Sequence, residues 1–398
     1  MLASITIQSI RVINLLPIPW TMPDPLSWSD IAGPLVAAED ALARLDERLS
    51  KSPIREGFVA RTHFADAAAA LWLEGSLVHM EDLVLHDAGM DIRAPTHEMT
   101  RAHAILRARR RIFADDPDWA FSPAGLDVLR GRAGELGTIA SGSPAPEIER
   151  RGAASGAGRE EEGADLWQPL ADPDGDDAWL AELAAIDAVV DRSAKVLDGA
   201  APLKKFERDP LVYDLDWDEE ARLKEWRAVV EQTKDLPPVL AAALALEAWQ
   251  SIEPLQHQPW LGPLLGSALL KARGKTRAYL TCLNIGLKQV PREKRRALGQ
   301  TTRLLAQIEA VVAAAEAGLK DHDRWLNMRR QLERKTIGRR STSKLPDLID
   351  LVLATPIASA NMIAEAIDVT PRAAQDMVVE LGLREATGRG RYRAWGIL

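Results

Sequence analysis

Residues 344–383 read KLPDLIDLVLATPIASANMIAEAIDVTPRAAQDMVVELGL and contain three runs of apolar residues at helical spacing, separated by short breaks. The first run ends before Pro356, which cannot continue a helix. Ser359 is suited to cap the second run, and Thr370 followed by Pro371 is suited to begin the third. The sequence therefore predicts three short helices, with only Asp368 and Val369 connecting the second to the third.

The residues that follow, REATGRGRYRAWGIL (384–398), form two short strand-like runs around a Gly-Arg-Gly tip. Helix, helix, tight turn, helix and Gly-tipped hairpin is the order of a winged helix-turn-helix, which residues 344–398 resemble. In such modules the start of the third helix faces base edges in the major groove, and the hairpin, or wing, reaches phosphates or a neighbouring groove. The resemblance implies contacts to double-stranded DNA from Thr370, Arg372, Gln375, Arg384, Arg389, Arg391 and Arg393, with Asp376 also on the DNA-facing side.

Basic residues just before the module could extend such a surface. They lie in ERKTIGRRSTSK and are Arg334, Lys335, Arg339, Arg340 and Lys344. The same fold also serves protein contacts or dimerisation, in which case the arginines would be solvated surface residues. Both interpretations stay open at this point.

The composition predicts a mainly α protein of two or three domains, since 398 residues exceed a single core and Leu and Ala are abundant. A formal net charge of −8 argues against a chain coated all over with nucleic acid. One cysteine, Cys282, excludes an internal disulfide framework, and its apolar surroundings predict a core residue rather than a nucleophile. No apolar stretch approaches the roughly 20 residues of a membrane span, and the single cysteine suits a reducing cytoplasm, so a cytoplasmic protein is predicted.

The helical pattern divides the chain into four predicted segments. Residues 1–133 form an N-terminal helical region, and residues 134–165, rich in Gly, Ala, Ser, Pro and charge, form a flexible linker or loop. Residues 166–333 form a helical core, and residues 344–398 the winged helix-turn-helix. Within the core, PPVLAAALALEAWQSI is apolar nearly all round and predicts a central buried helix, and a long helix is predicted from about 291 to 333.

One stretch, IEPLQHQPWLGPLLGSALL (252–270), interrupts the most apolar part of this core. Together with the Glu74-Gly75 pair in an upstream helix, and with the acidic and leucine residues after it, the order of segments resembles Fic (filamentation induced by cAMP) domain proteins. In that family a central helix is followed by a phosphate-binding loop, and many members end in a winged helix. The resemblance therefore implies a Fic-like helical bundle as the body of this chain.

The loop lacks the chemistry of the Fic motif, which needs a general-base His, an acidic metal ligand, glycines around phosphate and an Arg. Pro259 has no N–H to donate, and only glycine adopts the required backbone cheaply at the position of Trp260. We therefore expect that the protein is not an enzyme and that it has no catalytic residue, no cofactor and no metal. The residues at the matching positions are Glu253, His257, Gln258, Pro259, Trp260 and Leu261. The alternative is a plain turn between two core helices, with Trp260 and Leu261 packed inward.

Two further groups of charged residues have a structural and a functional interpretation each. His79 and His86 share a helix face with Asp82, but surface histidines beside a solvated acid explain them better than a metal site. A basic region could form a second phosphate-binding surface, or could pair with the acidic segment from Asp214 to Glu220, and the sequence does not decide between these. The basic residues are Lys271, Arg273, Lys275, Arg277, Lys288, Arg292, Lys294, Arg295 and Arg296.

The chain is also similar to an uncharacterised alphaproteobacterial family in which a domain of unknown function precedes a C-terminal helix-turn-helix. The sequence thus predicts a DNA-binding protein, a transcriptional regulator with a catalytically inactive Fic-like body as sensor or dimerisation core. A homodimer fits this prediction. The alternatives are a divergent Fic-type nucleotidyltransferase, with Glu253 or His257 as base, and a protein-interaction module that binds no DNA.

Overall fold

The computed structural model describes residues 20–21, 28–90, 94–131, 217–340, 343–387 and 393–397, which form a mainly α protein, as the composition predicts. The predicted linker at 134–165 lies outside these residues, as do Arg389 and Arg391 of the wing. Across the described ranges, no helix combines the length and apolarity needed to cross a membrane.

The N-terminal region begins with a long amphipathic helix. The predicted apolar face of this helix is confirmed, since Ile31, Leu42 and Leu49 are completely buried. A later helix begins where the sequence predicts it, because the Thr96 hydroxyl accepts the N–H of Met99 at 3.2 Å. The helices are α1 (Trp28–Ser50), α2 (Arg55–Leu73), α3 (Met80–Asp87), α4 (His97–Ala114) and α5 (Pro123–Leu129), with a 3-10 turn at Trp119–Phe121.

The second helical group surrounds a helix that is apolar nearly all round. Residues Val239 to Trp249 are all buried, which confirms the predicted central helix. The long helix predicted from about residue 291 starts later, because a short separate helix comes before it. The helices are α6 (Glu219–Gln232), α7 (Pro238–Ile252), α8 (Leu261–Ala272), α9 (Leu283–Gln289), α10 (Arg292–Arg295) and α11 (Gln300–Thr336).

The C-terminal module has the three predicted helices and the hairpin, together with a third strand that the sequence did not reveal. The antiparallel sheet has the order β1-β3-β2, with Ala358 opposite Trp395 and Arg384 opposite Gly396. The elements are α12 (Leu345–Ala354), β1 (Ala358–Ser359), α13 (Ala360–Ile367), α14 (Pro371–Leu381), β2 (Arg384–Glu385) and β3 (Ala394–Gly396). The unpredicted strand is two residues long, too short to show an alternating pattern.

A buried polar cluster ties α2, α4 and the start of α9 together inside the apolar core. Asp66 and Arg109 are both completely buried and pair at 2.5 Å. The Asp66 carboxylate also accepts the side-chain N–H of Asn284 at 2.9 Å and the backbone N–H of Ile285 at 3.1 Å. Cys282 lies beside this cluster, and burial raises the pKa of its thiol to about 12. It is therefore a core residue, as its apolar surroundings predict.

Candidate nucleic-acid interface

Helix α14 has the local geometry of a recognition helix. Its N-cap is Thr370, whose hydroxyl oxygen accepts the N–H of Ala373 at 3.2 Å. Asp368, with φ of 54°, adopts the left-handed conformation that turns the chain sharply between α13 and α14. Ala374 and Val378 are buried on the inner face of α14. The opposite face is therefore turned away from the module's core.

The outer face of α14 carries the side chains that the sequence assigns to base contacts. Arg372, Gln375 and Asp376 are all exposed and occupy neighbouring positions at helical spacing. The side chains of Arg372 and Gln375 have no hydrogen bond or ion pair with other described residues. Both are therefore available to a partner, and Thr370 is exposed at the end of the same helix.

The wing presents its cations differently. Arg384 on β2 is exposed. Arg393 is also exposed, but its guanidinium bonds the Glu385 carboxylate at 2.8 and 2.7 Å and lies 5.5 Å above the Trp395 ring. The charge of Arg393 is therefore partly neutralised and held in place. Arg389 and Arg391 lie outside the described residues, and their predicted roles stay predictions.

The C-terminal end of α14 is attached to the helical body, which leaves its N-terminal end free. Lys335, near the end of α11, donates to the carbonyl oxygen of Leu381 at 2.5 Å, where a cation also complements the helix dipole. Arg339 pairs with Glu380. Two of the basic residues expected to extend the DNA-binding surface are thus used for docking the module.

A second attachment joins α2 to the module. Arg61 is nearly buried and donates to the carbonyl oxygens of Val352, at 3.1 Å, and Ile397, at 2.5 Å. Gly57, one turn earlier on α2, allows close packing, since an added Cβ would lie 3.2 Å from the backbone of Leu353. The module is therefore packed against the body by both ends of its own chain.

The interrupted stretch between α7 and α8 is a turn that packs inward. Trp260 and Leu261 are buried, as the plain-turn alternative expects, whereas Glu253, His257 and Pro259 are exposed and Gln258 is partly exposed. A Cβ on Gly262 would lie 2.4 Å from Cδ1 of Trp249. That glycine is therefore required where α8 crosses the Trp249 ring.

The histidine-rich region forms ion pairs. His103 contacts Asp87 at 3.2 Å, and Arg110 bonds both oxygens of the same carboxylate at 2.7 and 2.8 Å. Burial acts to raise the pKa of Asp87, but these partners outweigh it and hold the pKa at about 2. Within the described ranges, no three His, Cys, Asp or Glu side chains converge as a metal site requires.

Part of the basic region is used structurally. The Lys271 ammonium donates to three carbonyl oxygens at the end of α4, at 2.7 to 2.8 Å. Lys275 pairs with Glu39, and Lys294 with Glu309. From the acidic segment, Glu220 pairs with Arg130. The remaining cations between 288 and 296 form a separate group.

Comparison with known proteins agrees with the two-part architecture. Residues 345–398 match a family described as "HTH DNA binding domain", and residues 211–337 match "Protein of unknown function (DUF1612)". The chain is 46% identical over 383 residues to "Uncharacterized protein y4cF" of Sinorhizobium fredii, covering 94% of this chain and 98% of that protein. The chain belongs to the family of that protein.

The two family matches confirm the predicted combination of a domain of unknown function with a C-terminal helix-turn-helix. The helix-turn-helix match begins at the first residue of α12 and includes every element of the module. The DUF1612 match runs through α6 to α11, which includes the interrupted stretch. Neither matched family is described as a Fic-domain family, so the resemblance to Fic-domain proteins stays a prediction.

The residues that dock the module cannot be recognised from the sequence alone. Arg61 lies in FVARTHF, where a cation among apolar neighbours on a helix was the available signal that it must meet buried acceptors. Its acceptors lie more than 290 positions further along the chain. No local pattern could identify them.

Proposed function

We propose that this protein binds double-stranded DNA through its C-terminal helix-turn-helix and acts as a transcriptional regulator. The observation that carries the proposal is the exposed, unpaired Arg372 and Gln375 at the free end of α14, within a module that matches a DNA-binding family. The proposal assigns α14 to the major groove and the wing to the phosphate backbone.

The chemistry of the exposed face suits base recognition. An arginine such as Arg372 can donate two hydrogen bonds to guanine, and Gln375 can bond adenine through its donor and acceptor atoms. Asp376 can accept from the amino group of cytosine, a contact in which an acidic side chain is favourable. Arg384 and Arg393, with Arg389 and Arg391 at the tip, would hold phosphates.

The helical body would set the orientation of the module, and we assign it the role of sensor or dimerisation core. Docking through Arg61 and Lys335 supports this assignment, because a fixed module on each of two copies defines the spacing of two half-sites. In this proposal the body descends from a Fic-like bundle. The inward packing of Trp260 and Leu261 favours a structural use of its loop over transfer of a nucleotide by Glu253 or His257.

Selection of bound sequences from random duplex DNA tests this proposal. The full chain should enrich a defined motif, and Gln375→Ala should change the preferred base at one position without abolishing binding. Arg391→Ala should weaken binding to all sequences alike, because a phosphate contact carries no sequence information. An unchanged motif in Gln375→Ala together with unchanged affinity in Arg391→Ala would reject the proposal.

A protein-interaction role is the second candidate, and the charge of the module favours it. Residues 344–398 contain six basic and seven acidic residues, so the module has no net positive charge. A pull-down with the full chain, after nuclease treatment, distinguishes the two. Recovery of a stoichiometric protein by wild type but not by Arg372→Ala, with no enriched DNA motif, would favour the protein partner.

A further inference from the structure

A cleft with a volume of about 430 Å³ lies at the C-terminal end of α2, away from the helix-turn-helix. One wall is the end of α2 and the two residues after it (72–75). The other wall consists of residues between 288 and 296, from the end of α9 through α10. This volume falls within the range of small-molecule sites. Along the α2 axis, Leu73 is about 18 Å from Arg61, at 1.5 Å per residue, so the cleft and the docked module occupy different parts of this helix.

The cleft is strongly basic. Lys288, Arg292, Arg295 and Arg296 line it, and Lys294, which pairs with Glu309, is not part of the lining. Arg292 and Arg296 are exposed and have no ion pair with other described residues. Four cations facing one concavity repel each other until an anion enters.

The local electrostatics agree with this view. Burial, and then the charges of Arg296 and Arg292, lower the pKa of the Arg295 guanidinium. The opposing effect of Glu293, which raises the pKa, is the smallest of these contributions. The Nε of Arg295 donates to the carbonyl oxygen of Val290 at 3.0 Å, which fixes the guanidinium at the rim while other N–H groups stay available. The cluster is therefore a positioned set of donors.

One carboxylate, that of Glu74, also lines the cleft, and its position suggests what else a ligand must carry. Its Oε2 pairs with Arg101, which compensates the charge. Burial raises the pKa of Glu74, and a hydrogen bond from the backbone N–H of Trp260 acts with Arg101 to lower it. The part of this carboxylate that lines the cleft can accept from a hydroxyl placed beside it, so a ligand with hydroxyl groups would be complementary to Glu74.

Trp72 adds an apolar wall. Its ring is 42% exposed, and the Lys288 ammonium lies 4.8 Å above its centre. The interaction with the ring positions Lys288 without neutralising it, because no carboxylate is involved. A sugar ring could pack against the exposed part of this indole.

We infer that this cleft binds a small phosphorylated molecule that also carries hydroxyl groups, the class of sugar phosphates and nucleotides, with its phosphate held by Arg292, Arg295 and Arg296. The hydroxyls reach Glu74, and the scaffold packs on Trp72. This site is separate from the face of α14, so the inference stands independently of the proposed DNA binding.

Isothermal titration of the full chain with inorganic phosphate, ribose 5-phosphate and AMP tests the inference at low salt. We expect ribose 5-phosphate or AMP to bind more tightly than inorganic phosphate, because only they supply sugar hydroxyls for Glu74 and a ring to pack on Trp72. The double variant Arg292→Ala with Arg296→Ala should weaken binding of every probe by about tenfold or more, since it removes two charged donors to the phosphate. Both side chains are exposed and unpaired, so the variant should fold.

A matched control removes two exposed arginines elsewhere, Arg227→Ala with Arg330→Ala, and should leave binding unchanged. Absence of heat with all three probes would overturn the inference, as would an equal loss in the control variant. A loss of AMP binding in His257→Ala but not in the cleft variant would place the ligand in the α7–α8 turn instead. Weakened DNA binding by the cleft variant, with no small probe bound, would assign these arginines to a DNA surface and likewise overturn it.

Discussion

Arg61 is the buried side chain that joins α2 to the helix-turn-helix module, and replacing it with methionine tests how the module is held. Its guanidinium is 7% exposed and donates to Val352 at 3.1 Å and to Ile397 at 2.5 Å. In a helix, the carbonyl oxygen of Val352 would accept the N–H of the residue four positions later. That residue is Pro356, which has no N–H, so the carbonyl lacks its helical donor. Arg61 supplies the missing donor.

The expected magnitude follows from two opposing effects. Two hydrogen bonds from a charged donor contribute about 3–6 kcal/mol together. Burial, and then the nearby Arg324, lower the pKa of Arg61 to about 10 from 12.5, so holding the charge there costs roughly 3.5 kcal/mol at about 1.4 kcal/mol per pH unit. Because methionine keeps the apolar stem but not the donors, we expect Arg61→Met to weaken docking of the module by about 1–2 kcal/mol.

Hydrogen–deuterium exchange measures this effect locally. A loss of about 1–2 kcal/mol should reduce the protection of α12 and β3 amides about 5- to 30-fold, with α7 and α8 unchanged. Arg48→Met is the control, because Arg48 and Asp323 form a pair at 2.8 Å that is about half exposed, and such pairs contribute roughly 0–1 kcal/mol. Unchanged protection of residues 345–354 in Arg61→Met, or an equal loss in the control, would refute the reasoning.

Three further changes have defined expected outcomes. Gly262→Ala should lower the free energy of unfolding by about 1–3 kcal/mol, measured by urea denaturation, because the added methyl overlaps the Trp249 ring. Asp87→Asn should cost about 2 kcal/mol at pH 7, since the pKa of Asp87 is about 2 against an ordinary 3.8. A depressed carboxyl pKa stabilises above pH 4 and loses that effect as pH falls, so thermal unfolding of the two proteins should converge towards pH 2, and a constant difference would contradict this. Glu385→Gln should tighten DNA binding a few-fold in anisotropy by releasing Arg393.

The C-terminal module was the part most fully predicted from the sequence, because its signals are local. Thr370 with Pro371 marked the start of α14, Ser359 capped α13, and both hydroxyls accept the expected N–H groups. The third strand was missed because β1 is formed only by pairing with residues more than 30 positions away. Such pairing leaves no periodic pattern in two residues.

The sequence left open whether the basic region around the cleft binds phosphate or pairs with the acidic segment from Asp214 to Glu220. Lys271 and Arg292 look alike in a sequence, yet one satisfies three carbonyl oxygens at the end of α4 and the other stands exposed and unpaired. The distinction depends on which helix end comes near each cation, and that is set by tertiary packing. Trp72 and Glu74, from a distant helix, complete the cleft for the same reason.

The salt dependence of DNA binding by the full chain tests the central claim most directly. Fluorescence anisotropy with the selected duplex, between about 50 and 200 mM salt, should give a slope of about −3 to −4, as four wing arginines on phosphates require. The double variant Arg372→Ala with Gln375→Ala should bind that duplex at least about tenfold more weakly and keep the slope, because base contacts release no counterions. Absence of binding by the wild-type chain at about 50 mM salt would contradict the assignment of α14 and the wing to DNA.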